Sequence, residues 1–371
     1  MNLTKLLLLV LFIPTYVTSQ TTLSGSLLDS ETKLPVEFAT VYVDGTMKGT
    51  ISDTKGFFLL ENLPLPCKVV VSHVNYETTT TEYAAGEVRN LSLHLGLHPR
   101  QLNIKEVVVL DKNRRDENLK YFERTFLGNN KWGNYAFIEN DSILFFTAKT
   151  RTDLPRNLML HPDFPDSFRA EAFGPLKIEL PLLGYQLYAN LEYFTVNYLD
   201  QLDQYQTRCH GLTYFIPTEV KSGLKRKLIE EHRKEVYYNS RLHFFRSINE
   251  NTLKSNGYLI VQGIEYNIYN QTDRYETIDL DSSFVRNNGG TKIIGLKDKI
   301  YYILYYQNFK KDPIDLNKKE PARYPIVSSI YFGQDTCVIL ESGRVADQSI
   351  IFGPAIGDKL VGTWLPDDYW P

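Results

Sequence analysis

Residues 24–64 read SGSLLDSETKLPVEFATVYVDGTMKGTISDTKGFFLLENLP, and residues 68–77 continue as KVVVSHVNYE. Short apolar and β-branched runs alternate here with turn residues, which is strand chemistry. Phe38, Val41 and Val43 mix with Thr40 and Tyr42, the pattern of a strand buried largely on one face. Asp44-Gly45 is a tight hairpin signal, and Asp53-Thr54-Lys55-Gly56 is a slightly longer turn. Working outward, strands are expected near Leu23–Leu28, Phe38–Val43, Lys48–Ile51, Phe57–Leu60, Lys68–His73, Val88–Leu95 and Ile104–Leu110. So many short strands and turns in so little chain indicate an antiparallel β-sandwich over residues 22–110.

The same residues carry a resemblance. Gly25 opens the first strand, Pro35 and Ala39-Thr40-Val41 surround the second, Gly49-Thr50 follows, and Gly56-Phe57 comes after Asp53. In these features the segment resembles the carboxypeptidase-regulatory-like domain, whose fold is a transthyretin-like Greek-key sandwich, abundant in exported proteins of Bacteroidota-type bacteria. That family usually has Gly where this chain has Asn75, before Tyr76; Asn tolerates a left-handed backbone almost as Gly does. The resemblance implies fold and not activity.

At 371 residues the chain exceeds one comfortable hydrophobic core, so at least two domains are expected. Hydrophobic residues make up 43% and charged residues 23%, which excludes a disordered or fibrous chain. Lys+Arg number 41 against 44 Asp+Glu, a net charge of −3, leaving no basic surplus for a nucleic-acid partner. Residues 1–19 read as a signal peptide: Lys5 precedes the apolar run Leu6–Ile13, and Val17-Thr18-Ser19 offers a small-residue exit. That run is too short to span a bilayer and nothing later reaches spanning length, so no transmembrane helix is expected after cleavage. Cys67, Cys209 and Cys337 make no disulfide framework and no CxxC pair; Cys67, before Val69-Val70-Val71, reads as a buried small apolar residue.

Residues 111–127, beginning DKNRRDENLKYFERTF, read as a charged helical connector. Residues 128–371 read as a larger β-rich α+β domain with one helical insertion. β-like runs are Ile143–Phe146, Ile178–Glu192, Tyr258–Tyr269, Thr291–Tyr306 and Ser328–Leu340. Lys221–Leu253 reads as one helix with an apolar stripe of Leu224, Leu228, Val236 and Phe244. The segment GDKLVGTWLPDDYWP, with Trp364, Tyr369 and Trp370, is expected to strap over the sheet. Pro175-Leu176, Ile178-Glu179, Leu183-Gly184-Tyr185, Tyr238, Ser240 and His243-Phe244 resemble a region that follows this sandwich in a group of Bacteroidota carboxypeptidase-like regulatory domain-containing proteins. There this chain has Leu180 for an Asn and Asn239 for a Gly. The likeness implies architecture and location only.

Metallopeptidase chemistry needs an HxxE pair and a distant third ligand. The one HxxE is His232-Arg233-Lys234-Glu235, and the only downstream His is His243, about 16 Å away if the helix is continuous. A solvated charged helix face explains the pair better. His94 and His98 would lie about 13 Å apart along a strand, too far to share an ion. His210 beside Cys209 is a single adjacency. Ser30-Glu31-Thr32-Lys33 and Ser222-Gly223-Leu224-Lys225 match S-x-x-K, without the KTG and SDN partner motifs that a penicillin-interacting enzyme needs. The first reads as a turn and the second as a helix cap. Asn90, Asn140 and Asn270 head sequons that read as coincidence in a bacterial chain. The 25 Tyr and 20 Phe include clusters at Tyr185, Tyr188, Tyr193 and Phe194, and at Tyr301, Tyr302, Tyr305 and Tyr306. Tyrosines on a sheet stack on sugars or grip a partner in some proteins; half-buried sheet positions are the ordinary reading.

No catalytic, cofactor-binding or metal residues are assigned. The expectation is an exported, non-catalytic cell-envelope protein, periplasmic, outer-membrane-associated or secreted, that binds or scaffolds an envelope protein or glycan. The alternatives are a hydrolase with an unrecognised site in the C-terminal domain, and an accessory component of a TonB-dependent uptake system.

Overall fold

A computed structural model describes residues 21–84, 86, 90–100, 112–149, 167–199, 204–263, 275–277, 283–287, 290–307, 325–345, 350–353 and 355–371. The chain is mainly β, and its N-terminal part is a sandwich of two sheets. In β1 (Thr22–Asp29) every second residue is buried, beginning with Leu23. This strand lies between antiparallel β4 (Phe57–Leu60) and parallel β7 (Asn90–Leu97). At Gly25 a Cβ would run into the Leu93 carbonyl, so only glycine lets β1 and β7 approach. The facing sheet has the order β3 (Gly49–Ile51), β2 (Thr40–Val43), β5 (Cys67–Ser72), β6 (Thr79–Tyr83). Leu23, Leu27, Val41, Val43, Phe58, Val69, Val71 and Leu97 fill the space between.

Six of the expected sandwich strands are present; Ile104–Leu110 and the leader at 1–19 fall outside the described residues. One further strand, β6, lies in the threonine run 78–81, whose small alternating polar side chains carry no hydrophobic signal. Thr is nonetheless a good strand former at a sheet edge. Asn75 is not among the positive-φ residues, so nothing in its backbone calls for the Gly that the resemblance puts there.

Helix α1 (Lys112–Phe126) carries the expected connector, yet it does more than connect. Leu119, Phe122 and Phe126 recur on one face and enter a second core, where the Phe122 ring sits 4.9 Å from that of Phe194. After the short helix α2 (Lys131–Tyr135) comes a six-stranded sheet. Its path is β8 (Phe137–Ile138), β11 (Leu176–Leu180), β12 (Tyr185–Leu199), β10 (Ser167–Ala172), β9 (Leu144–Lys149), and β13 (Gln204–Pro217) lies along the free side of β12.

The expected single helix at 221–253 is two: α3 (Gly223–Tyr237) and α4 (Arg241–Asn249). Asn239 takes a left-handed φ of 55°, and the Ser240 side chain then caps α4 by accepting from His243 N. Of the expected stripe, Val236 and Phe244 are buried, whereas Leu224 and Leu228 lie out of phase with Val236 on α3 itself. Leu224 is 85% exposed and Leu228 is exposed too, whereas Ile229, Val236 and Tyr237 turn inward. Here Asn239 does use the freedom of the Gly it replaces.

The rest is a second two-sheet body. Five strands run β15 (Tyr275–Thr277), β14 (Tyr258–Gly263), β18 (Ile300–Tyr305), β19 (Ile326–Phe332), β21 (Ile350–Phe352). Three more run β16 (Phe284–Asn287), β17 (Gly290–Ile294), β20 (Thr336–Leu340). The expected runs 291–306 and 328–340 each fold back at a turn and place one strand in each sheet. Phe244, Phe245 and Ile248 of α4 complete this core. Among the described residues no helix is long and apolar enough to cross a membrane.

Candidate functional site

The Asp44-Gly45 signal does make a hairpin turn, and the turn is also a plug. Gly45 N donates to Thr213 O at 2.7 Å, Phe215 N to Thr46 O at 3.0 Å, and Thr213 N to the Asp44 carboxylate at 2.8 Å, so the turn lengthens the sheet at β13. The buried Asp44 carboxylate also meets Arg344, whose Nη1 lies 3.3 Å from Asp367. Gly45 has φ 81°, and a Cβ there would strike both Arg344 and Asp367. The strap at 357–371 closes the cluster: Asp367 N donates to Gly45 O, Met47 N to the Asp368 carboxylate, and fully buried Arg246 to the Asp367 and Tyr369 carbonyls. Burial opposes the Arg344 charge, but Asp367 and Asp44 outweigh it and hold the guanidinium above its ordinary pKa. For Asp367 burial wins over Arg344 and pushes the carboxyl up to about 6.

Beside this junction a cleft of about 460 Å³ opens between the sandwich and the central sheet. Thr78, Thr80 and Arg100 form one wall; Phe173, Gly174, Asn190 and Glu192 belong to the other. Glu192 stands at a β-bulge where the β12–β13 register shifts between Leu191 and Tyr193. Opposite, a Cβ at Gly211 would collide with Asn190 O, so the bulge depends on that glycine. Three of the polar groups are each held by a partner. Arg100 donates to Tyr76 O at 3.2 Å, Asn190 to the Tyr42 hydroxyl at 2.8 Å, and Glu192 pairs with His210 at 3.1 Å. Burial lowers the His210 pKa, against the pull of Glu192. Phe173 is 47% exposed and packs on Phe145 with ring centres 4.2 Å apart.

Residues 23–109 match the family model of the CarboxypepD_reg-like domain. The sandwich is a carboxypeptidase-regulatory-like domain. No curated protein matches the chain. Among solved structures, a cohesin–X-dockerin complex of Acetivibrio cellulolyticus aligns at 23% identity over 20% of this chain and 51% of that one, with a TM-score of 0.17. A putative membrane-associated protein of unknown function from Bacteroides fragilis aligns at 9% over 54% and 98%, TM-score 0.18. A DUF3823 family protein from Parabacteroides merdae aligns at 10% over 57% and 85%, TM-score 0.16. The first match spans about half of that structure's chain, and scores this low carry no argument about fold or role.

The regulatory-like domain's family is a regulatory-like and not a catalytic one. On this domain, His94 bonds Ser26 and Ser92, and His98 bonds Ser30. Ser30 and Lys33 lie in a turn that Asp29 organises. The backbone N–H of Thr32 chiefly, with the Tyr76 hydroxyl and the Glu31 N–H, holds its carboxyl down at about 2 against some desolvation. Beyond it, Ser222 caps α3 by accepting from Lys225 N. His232 bonds Leu182 O and Arg233 bonds Leu183 O and Gly184 O, so the HxxE segment clamps the β11–β12 turn. His243 lies on the other helix and bonds Tyr258 at 2.8 Å, which replaces the expected spacing along one helix. Among the described residues no three His, Cys, Asp or Glu converge as a metal site, and no disulfide joins the cysteines. Asn140 bonds Pro175 O and Lys177 N; Asn270 lies outside the described residues. The tyrosine clusters are more buried than expected: Tyr185, Tyr301, Tyr305 and Tyr306 are core residues. Burial pushes Tyr185 up to about 12, and the Arg233 guanidinium lies 4.0 Å from its ring.

Arg100, Phe173, Asn190 and Glu192 belong to no motif. Their one sequence signal is Gly211, a glycine inside a strand run, which marks a bulge.

Proposed function

We propose that the chain is an exported, non-catalytic binding or scaffolding protein of the cell envelope, and that its ligand lies in the cleft between the regulatory-like domain and the bulged hairpin. The observation that supports this most is the arrangement of Arg100, Asn190 and Glu192, each fixed from outside the cleft before any ligand arrives. Sites that bind well have their polar groups held in place by supporting partners. Export rests on Lys5, the Leu6–Ile13 run and Val17-Thr18-Ser19. The Glu192–His210 pair is the one feature that serves a hydrolase instead, since a carboxylate can orient an imidazole base.

One preparation tests both readings. Chain recovered from the envelope should begin at or near Gln20. Hydrogen exchange with a protein-free envelope extract should then show protection at Thr78–Tyr83, Ala172–Gly174 and Asn190–Leu212, with no turnover of chromogenic ester, glycoside or peptide substrates. Turnover abolished by both Glu192→Gln and His210→Ala would replace binding by hydrolysis.

A further inference from the structure

Accepting the cleft as a ligand site, we infer that its ligand is a saccharide unit whose ring stacks on Phe173 while its hydroxyls bond Arg100, Asn190 and Glu192. Three observations converge on that chemistry. The first is Phe173. An aromatic ring half exposed beside polar groups, and backed by the Phe145 ring, is a platform with its remaining surface open to a ligand. Glycine at 174, next along, puts no side chain across it.

The second is the set of unspent hydrogen-bonding groups. Arg100 uses Nη2 on Tyr76 O, Asn190 uses Nδ2 on the Tyr42 and Ser72 hydroxyls, and Glu192 uses Oε2 on His210. Among the described residues that leaves Arg100 Nε and Nη1 as donors, Asn190 Oδ1 and Glu192 Oε1 as acceptors, and the hydroxyls of Thr78 and Thr80 as either. Vicinal hydroxyls, each both donor and acceptor, complement such a mixture. A phosphate or carboxylate would meet two acceptors beside one cationic side chain.

The third is charge and size. Arg100 on one wall and Glu192 on the other cancel, so the cleft favours a neutral ligand. About 460 Å³ falls in the range of small-molecule sites and admits one or two sugar rings.

The test uses the full chain from Gln20, screened on a glycan array and then titrated by calorimetry with cellobiose, maltose and N,N′-diacetylchitobiose. Glycylglycine and glutamate serve as the opposing zwitterionic probes. At least one saccharide should bind saturably and protect 172–174 and 190–192 from hydrogen exchange. Phe173→Ala should weaken it at least tenfold, and Phe173→Trp should retain it. Both variants alter an exposed ring, so unchanged circular dichroism confirms that they fold. Binding of a zwitterion in the cleft with no saccharide response would overturn the ligand class and leave the cleft reading standing. Saccharide binding indifferent to Phe173→Ala, or silence across the whole array, would overturn the inference. The cleft itself is judged separately, by the extract experiment.

Discussion

The sandwich is held together by one kind of force and held to the rest of the chain by another. Inside it, Leu23, Val41, Phe58 and Val69 interlock with no polar partner among them. Where it meets the central sheet the apolar contact among the described residues is small, Tyr42, Val70 and Leu212 with Tyr214 against them and Met47 against the central core, and the turn Asp44–Thr46 docks through charge and backbone bonds. Apolar burial is strong but indifferent to orientation. A buried ion cluster adds little net stability and is intolerant of misplacement. The contrast suggests a domain that is stable by itself and placed by its junction.

The largest expected effect lies inside the sandwich. Phe58→Ala should cost about 4 to 5 kcal/mol by denaturant unfolding, and the loss should reappear in the fragment 22–110 studied alone. A fragment that never folds would break the comparison, because the sandwich would then owe its stability to docking.

Arg344→Met comes next, at about 3 to 4 kcal/mol in the full chain, since it strands two buried carboxylates. It leaves fragment 22–110 untouched, so proteolysis of that variant should release an intact sandwich.

The third effect is a pH dependence. Asp367, lifted from near 4 to about 6 by burial, binds its proton more tightly folded than unfolded. Its contribution to stability is therefore largest below pH 4, falls as pH rises from about 4 to about 6, and is constant above. The step is about 3 kcal/mol, read as the difference between the wild-type and Asp367→Asn stability curves. Identical curves would show that folding leaves the Asp367 pKa unchanged, and a step of the opposite sign would show that Arg344 holds it ionised.

The smallest lies outside the comparison and serves as its control. Ser240→Ala removes the cap of α4 and should cost about 1 kcal/mol, with no change in release of the sandwich.

How legible all this was follows the physics of each element. Strands such as Phe57–Leu60 announce themselves because one face is buried and the other is not. The edge strand Thr79–Tyr83 buries little, so its period is silent. The helix break at Asn239 hides because α3 turns Arg233 and His232 inward to bond carbonyls, and a hydrophobic stripe does not register polar side chains used that way. The cleft was the least legible: Arg100 and Glu192 are 92 positions apart, and only the folded sheets bring them to facing walls of one cleft.

The charged partner of Asp44, Arg344, is 300 residues further along the chain, and Asp367 comes later still. During synthesis the turn Asp44–Thr46 therefore meets β13 first and waits longest for Arg344 and Asp367, which complete its docking. That completion is a late event in the life of each molecule, and one that reports on everything in between. A chain that stops before Arg344 would keep the β13 contacts of that turn and lack the ion cluster that fixes it.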